Sequence, residues 1–96
     1  MDLIQVLMRE KPILFSLENC ERCEYVKKKI PENIEIEIKT YPHDIKDWTP
    51  EQLAEACYYE IYSDLQKTAP ILLMPDGRKI TSVIEIKNIL TKSKQI

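Results

Sequence analysis

Cys20 and Cys23 stand two residues apart in the stretch NCERCEYVKKK. Two thiols at that spacing can exchange with a disulfide, supply half of a metal site, or pack as small apolar residues. In the first reading the pair divides by position. Cys20 falls where an apolar run gives way to a helical pattern, so free backbone N–H groups and the positive end of the helix dipole there favour a thiolate. Cys23 lies one turn further, on the apolar stripe, as a shielded resolving thiol. Arg22 would assist the charged sulfur, while Glu18, Glu21 and Glu24 would oppose it and moderate its activation. In the metal reading Cys20, Cys23, His43 and Cys57 make four ligands, the usual number for zinc. Against it, Cys57 falls on an apolar helical stripe, where a small core residue is the simplest reading. His43, in TYPHDIKDW, reads as a loop residue. The lysines at 27–29 read as a solvated helix face able to steer an acidic partner.

The whole chain narrows the field. Its 96 residues make one domain, 1–96, and its formal charge of −2 comes from acids and bases mixed along the sequence. A nucleic-acid surface would be clearly basic, so none is expected. No apolar run approaches the ~20 residues that span a bilayer, so no membrane partner is expected either. The N-terminus MDLIQVLMRE carries Asp2 and no basic leader, unlike a signal peptide. The expectation is a cytoplasmic monomer. In that compartment a C-x-x-C pair is catalytic or metal-binding more often than a permanent staple, and three cysteines is an odd number for a disulfide scaffold.

The elements that must position these residues follow from periodicity. PILFSL, 12–17, is an apolar run that reads as a strand covered on both faces. Residues 21–30 place Cys23, Val26 and Ile30 on one helical stripe, and Pro31 ends it. IEIEIK, 34–39, alternates: Ile34, Ile36 and Ile38 form one dry face, Glu35, Glu37 and Lys39 the other, as suits an edge strand. WTPEQL opens a helix, with Thr49 as N-cap, Pro50 in first position, Gln52 closing a capping box, and Trp48 stapled to Leu53. Leu53, Cys57, Ile61 and Leu65 continue it as one stripe to about Gln66. PILLM, 70–74, is a second central strand, PDG a turn, and RKIT, 78–81, a short returning edge strand. Ser82 and Glu85 can cap a last helix whose inner face is Val83, Ile86, Ile89 and Leu90. Residues 1–10 fit helix or strand, and 92–96 read as a frayed tail. The order is β-α-β-α-β-β-α: an α/β domain with a four-stranded mixed sheet, helices on both faces, and a right-handed first crossover.

A C-x-x-C between first strand and first helix, TAP before a central strand, then a hairpin and a final helix, resembles the glutaredoxin and small thioredoxin-like redoxin family over residues 12–92. The resemblance implies a thioredoxin-like fold and thiol–disulfide exchange, with Cys20 as nucleophile, Cys23 as resolving thiol, and no bound cofactor beyond the redox-active disulfide. It also implies a cis bond between Ala69 and Pro70 beside the cysteines, and a substrate strand pairing at Thr68, Ala69 and Pro70. The family's glutathione site matches only in part. Glu18 stands where many members have a lysine, and Thr81–Ser82 where they have Gly-Gly; Glu85 matches their acid in the last helix. The Ser82, Val83 and Ile84 amides remain candidate contacts for a substrate carboxylate, and Glu85 and Arg22 remain candidate substrate-binding residues. The expected partners are a protein disulfide as substrate and, as external reductant, a flavin reductase or a low-molecular-weight thiol.

Overall fold

The structure is a computed structural model that describes residues 11–93 apart from Asn33. The expectations for 1–10 and for 94–96 lie outside the described residues. Helix formation continues through Ser93, so residues 92 and 93 belong to the last helix rather than to a frayed tail.

Four strands, β1 (Ile13–Leu17), β2 (Glu37–Tyr41), β3 (Ile71–Leu73) and β4 (Lys79–Ile80), form one sheet in the order β2-β1-β3-β4. β1 and β2 are parallel, joined through helix α1 (Glu21–Lys29). β3 runs antiparallel to both β1 and β4. The two continuous apolar runs are therefore central and the two polar strands are edges, because a central strand needs apolar side chains on both faces. Ile13, Leu14, Phe15 and Ser16 are all buried. Ser16 is accommodated because its hydroxyl lies 2.8 Å from that of Thr40.

Alternate residues of β1 and β3 feed two cores. On one face Ile13, Phe15 and Ile71 pack with Tyr41 of β2, Trp48 of the following loop, Ala56 of helix α2 (Pro50–Tyr58), Leu65 of helix α3 (Tyr62–Lys67) and Ile61 between the two helices. On the other, Leu14, Leu72 and Ile80 pack with Val26 of α1 and with Ile86 and Leu90 of α4 (Val83–Ser93). Phe15, fully buried, has its ring 5.5 Å from Tyr59 and 6.2 Å from Tyr41. Tyr41 in turn lies 4.7 Å from Trp48, whose indole N–H donates to the Pro42 carbonyl at 2.8 Å. Lys39 Nζ bridges Glu37 at 2.9 Å and Glu55 at 2.8 Å, and the Tyr41 hydroxyl donates to Glu55. Burial would raise Glu55, but these two bonds outweigh it and hold the carboxyl below its usual range. The network ties edge strand β2 to α2.

The capping box before α2 is present in both directions: Gln52 N–H donates to Thr49 Oγ1 at 3.1 Å and Thr49 N–H to Gln52 Oε1 at 2.9 Å. Trp48 and Leu53 join the same core.

Three expectations are corrected. The stripe 53–65 is not one helix. α2 ends in a Schellman turn, with Ile61 N–H on the Ala56 carbonyl at 2.9 Å and Glu60 N–H on that of Cys57 at 3.0 Å. Glu60 takes the left-handed position at φ 61°, and α3 starts afresh. Cys57 is accordingly not a core residue but exposed, and Ala56 fills the buried place. Finally, β2 begins at Glu37 rather than 34 and runs to Tyr41. Ile34 and Ile36 pack against the second core ahead of the strand, while Ile38 is 45% exposed on the open edge.

Candidate functional site

Strand directions gather the predicted residues at one end of the sheet. β1 and β2 are parallel and finish there, β3, antiparallel to β1, starts there, and β4 finishes there. So the loops holding Asn19–Cys20, Pro42–Asp44, Thr68–Pro70 and Thr81–Ser82 share that end, as do the N-termini of α1 and α4.

Within this end the β1–α1 loop is held closely. Glu18 N–H donates to the Tyr41 carbonyl at 2.9 Å, which pins the loop to β2. Asn19 follows at φ 56°, a left-handed turn that asparagine tolerates better than most side chains. The turn leaves Cys20 as N-cap of α1, in extended conformation, with its Sγ accepting the Cys23 N–H at 3.2 Å. A sulfur normally serves poorly as a cap. Here it occupies the place where a serine or aspartate oxygen would sit, against an amide donor suited to negative charge.

Cys23 is fully buried in the first core. The Leu17 N–H donates to its Sγ at 3.4 Å. Burial, and after it the hydrogen bond to Cys20, push the Cys23 thiol up from 9.0 to about 12; the Leu17 amide and Lys27 pull the other way without prevailing. The two sulfurs thus sit in opposite settings: one half-exposed at a helix start, the other dry and protonated.

No family model, curated protein or solved structure matches this chain.

The remaining predicted residues fall as follows. The Ala69–Pro70 bond is cis. Phe15 faces Ile71 in the β1–β3 ladder, so the cis bond immediately precedes β3 at the end of the sheet where β1 finishes. Ala69 joins the same core as Cys23 and is 7% exposed. Thr68 is half-buried and caps α3, its N–H on the Asp64 carbonyl. Ser82 Oγ accepts the Glu85 N–H at 3.3 Å, so half of the second capping box forms; the Glu85 carboxylate makes no described return bond and is exposed. Val83 is half-buried against the second core. Arg22 is exposed and has no described ion pair.

The four possible zinc ligands do not converge. Cys57 lies toward the far end of α2, where the following Tyr58 and Glu60 line a hollow with Ile13, Leu73 and Lys79, at the opposite end of the sheet. Among the described residues no three His, Cys, Asp or Glu side chains form a group able to hold a metal ion, and no helix is long and apolar enough to cross a membrane.

Two features were missed at the level of sequence. One is the Leu17 amide on Cys23, a backbone donor with no side-chain signature. The other is a groove beside Cys20 lined by Asn19, Glu21, Glu24, Tyr25 and Lys28. Its signal was available: positions 21, 24, 25 and 28 share one helical face.

Proposed function

We propose that this chain is a thioredoxin-like, glutaredoxin-type thiol–disulfide oxidoreductase of the cytoplasm, with Cys20 as nucleophile and Cys23 as resolving thiol. One observation carries the reading: Cys20 caps α1 with its sulfur on the Cys23 amide, while the second sulfur lies buried one turn inside. The sheet order, the cis Ala69–Pro70 bond and the shared end of four loops support it.

The Cys20 thiolate attacks one sulfur of a substrate disulfide. A Cys20–substrate bond forms, the substrate S–S bond breaks, and one thiolate leaves. Cys23 then passes its proton to the thiolate released in the first step, attacks the Cys20 sulfur and expels the second substrate thiolate. Two electrons pass to the substrate, and Cys20–Cys23 is left as a disulfide. The setting of Cys23 orders these steps. Part of what keeps it protonated is the Cys20 sulfur itself. Once that sulfur is bound to substrate its charge is gone, and the Leu17 N–H remains to stabilise a Cys23 thiolate. The first step thus eases the hold on the Cys23 proton, while burial, the larger cause, still keeps the thiol above its usual range.

The pair is reset by an external two-electron donor, a flavin reductase or a low-molecular-weight thiol. Glutathione is the weaker candidate: Glu18 replaces a basic partner, and the α4 start offers Ser82 in place of a glycine pair. Each missing charge-assisted hydrogen bond to its carboxylates costs about 1.5–3 kcal/mol, tenfold or more in affinity.

Single-turnover reduction of a protein disulfide tests the proposal. In a Cys57→Ala background, which removes the exposed third thiol, Cys23→Ser should accumulate a covalent mixed disulfide on Cys20, visible by intact mass, and Cys20→Ser should neither react nor form an adduct. Adducts on Cys23 in the Cys20→Ser protein at an undiminished rate would refute the assignment, as would stoichiometric zinc in the reduced protein.

A further inference from the structure

We infer that the disulfide this site reduces is borne on a segment with a basic residue next to its cysteine, lying along α1. The inference rests on the proposed function and adds the substrate class. Ala69 itself is 7% exposed, and open ground beside Cys20 is found along α1. It is the groove of about 530 Å³ formed by Asn19, Cys20, Glu21, Glu24, Tyr25 and Lys28. Tyr25, 43% exposed, offers an aromatic face there, with Lys29 Nζ 5.4 Å from the ring centroid.

Charge along this groove is ordered. Glu21 follows Cys20 directly and has no described ion pair. Glu24, one turn on, pairs among the described residues with Lys27 alone, at 3.4 Å, and stays 56% exposed. Lys27 is turned toward β2, where it also donates to Thr40 Oγ1 at 3.2 Å, and neither it nor Arg22 lines the groove. The basic residue in the groove is Lys28, about 12 Å from Cys20 at ~1.5 Å of rise per residue. The groove is therefore acidic beside the sulfur, aromatic in the middle and basic at its far end. An extended chain advances ~3.3 Å per residue. The matching partner carries lysine or arginine next to its cysteine and an acid about four residues away, facing Lys28 and the Lys29 ammonium that stands over the Tyr25 ring. Exposed charges of this kind steer encounter more than they hold a complex, and salt screens them.

The test uses the pre-reduced full-length protein and two short synthetic peptides. Each peptide has one cysteine capped as a mixed disulfide with uncharged 2-mercaptoethanol. They are identical except for lysine or glutamate beside that cysteine. The lysine peptide should react about tenfold faster at low salt, the ratio should shrink at high salt, and Glu21→Lys with Glu24→Lys should invert it. Glu21→Gln with Glu24→Gln, a milder change at the helix start, should bring the ratio close to one. Equal rates in the wild type, or a lysine preference that survives both double variants, overturn this inference and leave the oxidoreductase reading standing. No reaction with either peptide overturns the oxidoreductase reading and this inference with it.

Discussion

Thiol alkylation should separate the three cysteines sharply. Cys23 is fully buried and its thiol is pushed up from 9.0 to about 12. Alkylation proceeds through the thiolate. At neutral pH a displacement of that size lowers the thiolate fraction by about a thousandfold, since each unit is a factor of ten. Burial adds a further barrier, because the reagent must reach a sulfur shielded by packed side chains. Reduced protein exposed to iodoacetamide at pH 7.5 and sampled by mass spectrometry of its peptides should therefore label Cys20 and Cys57 while Cys23 stays free. Cys57 is the internal control: it is exposed, on the same molecule and in the same tube. Labelling of Cys23 at more than a tenth of the Cys57 rate would refute the argument. It would mean that the buried sulfur is neither shielded nor held protonated, and the division of roles between the two thiols would lose its physical basis.

Other outcomes follow from the same structure. Reduced protein should lose stability as pH rises from about 9 toward 12, because the unfolded thiol ionises while folded Cys23 stays protonated. The loss is of order 1 kcal/mol by about pH 10, and Cys23→Ala should flatten that part of the profile in urea titrations. Glu60→Gly should stabilise by about 0.5–1 kcal/mol, the left-handed strain relieved less the extra entropy of glycine, and a net loss in the same urea assay would refute the turn assignment. Thr49→Ala should cost about 1 kcal/mol by removing the N-cap of α2, measured by thermal or urea unfolding.

Much of the fold was legible because binary pattern and capping agree. Apolar runs without alternation marked β1 and β3 as central, and Thr49, Pro50 and Gln52 marked the start of α2 to the residue. The failures share a cause. The stripe Leu53, Cys57, Ile61, Leu65 was extended through a helix end that carries no glycine or proline. The break is made by Glu60 in a left-handed conformation, which an ordinary side chain does not announce. That one turn moved Cys57 from core to surface. The alternation of Ile34, Ile36 and Ile38 gave neither the span nor the dry face of β2: pairing is decided by the partner strand, whose Ile13 meets Glu37, and within the strand Ile38 is exposed while Tyr41, on the face of Glu37 and Lys39, is buried. At the candidate site, the placement of Cys20 and Cys23 could be read from helix pattern alone. The amide donors that serve them could not, since Leu17 and Cys23 contribute backbone rather than side chain.

The exposed place of Cys57 has a consequence of number. The chain holds three sulfurs able to pair. When Cys20 and Cys23 close on each other, each molecule keeps a single free valence, on the outer surface of α2. A unit with one valence joins to one other and then stops. Air oxidation of the purified protein should therefore end in covalent dimers linked Cys57 to Cys57, with no trimers or longer ladders on a non-reducing gel. Cys57→Ala should remain monomeric through the same treatment.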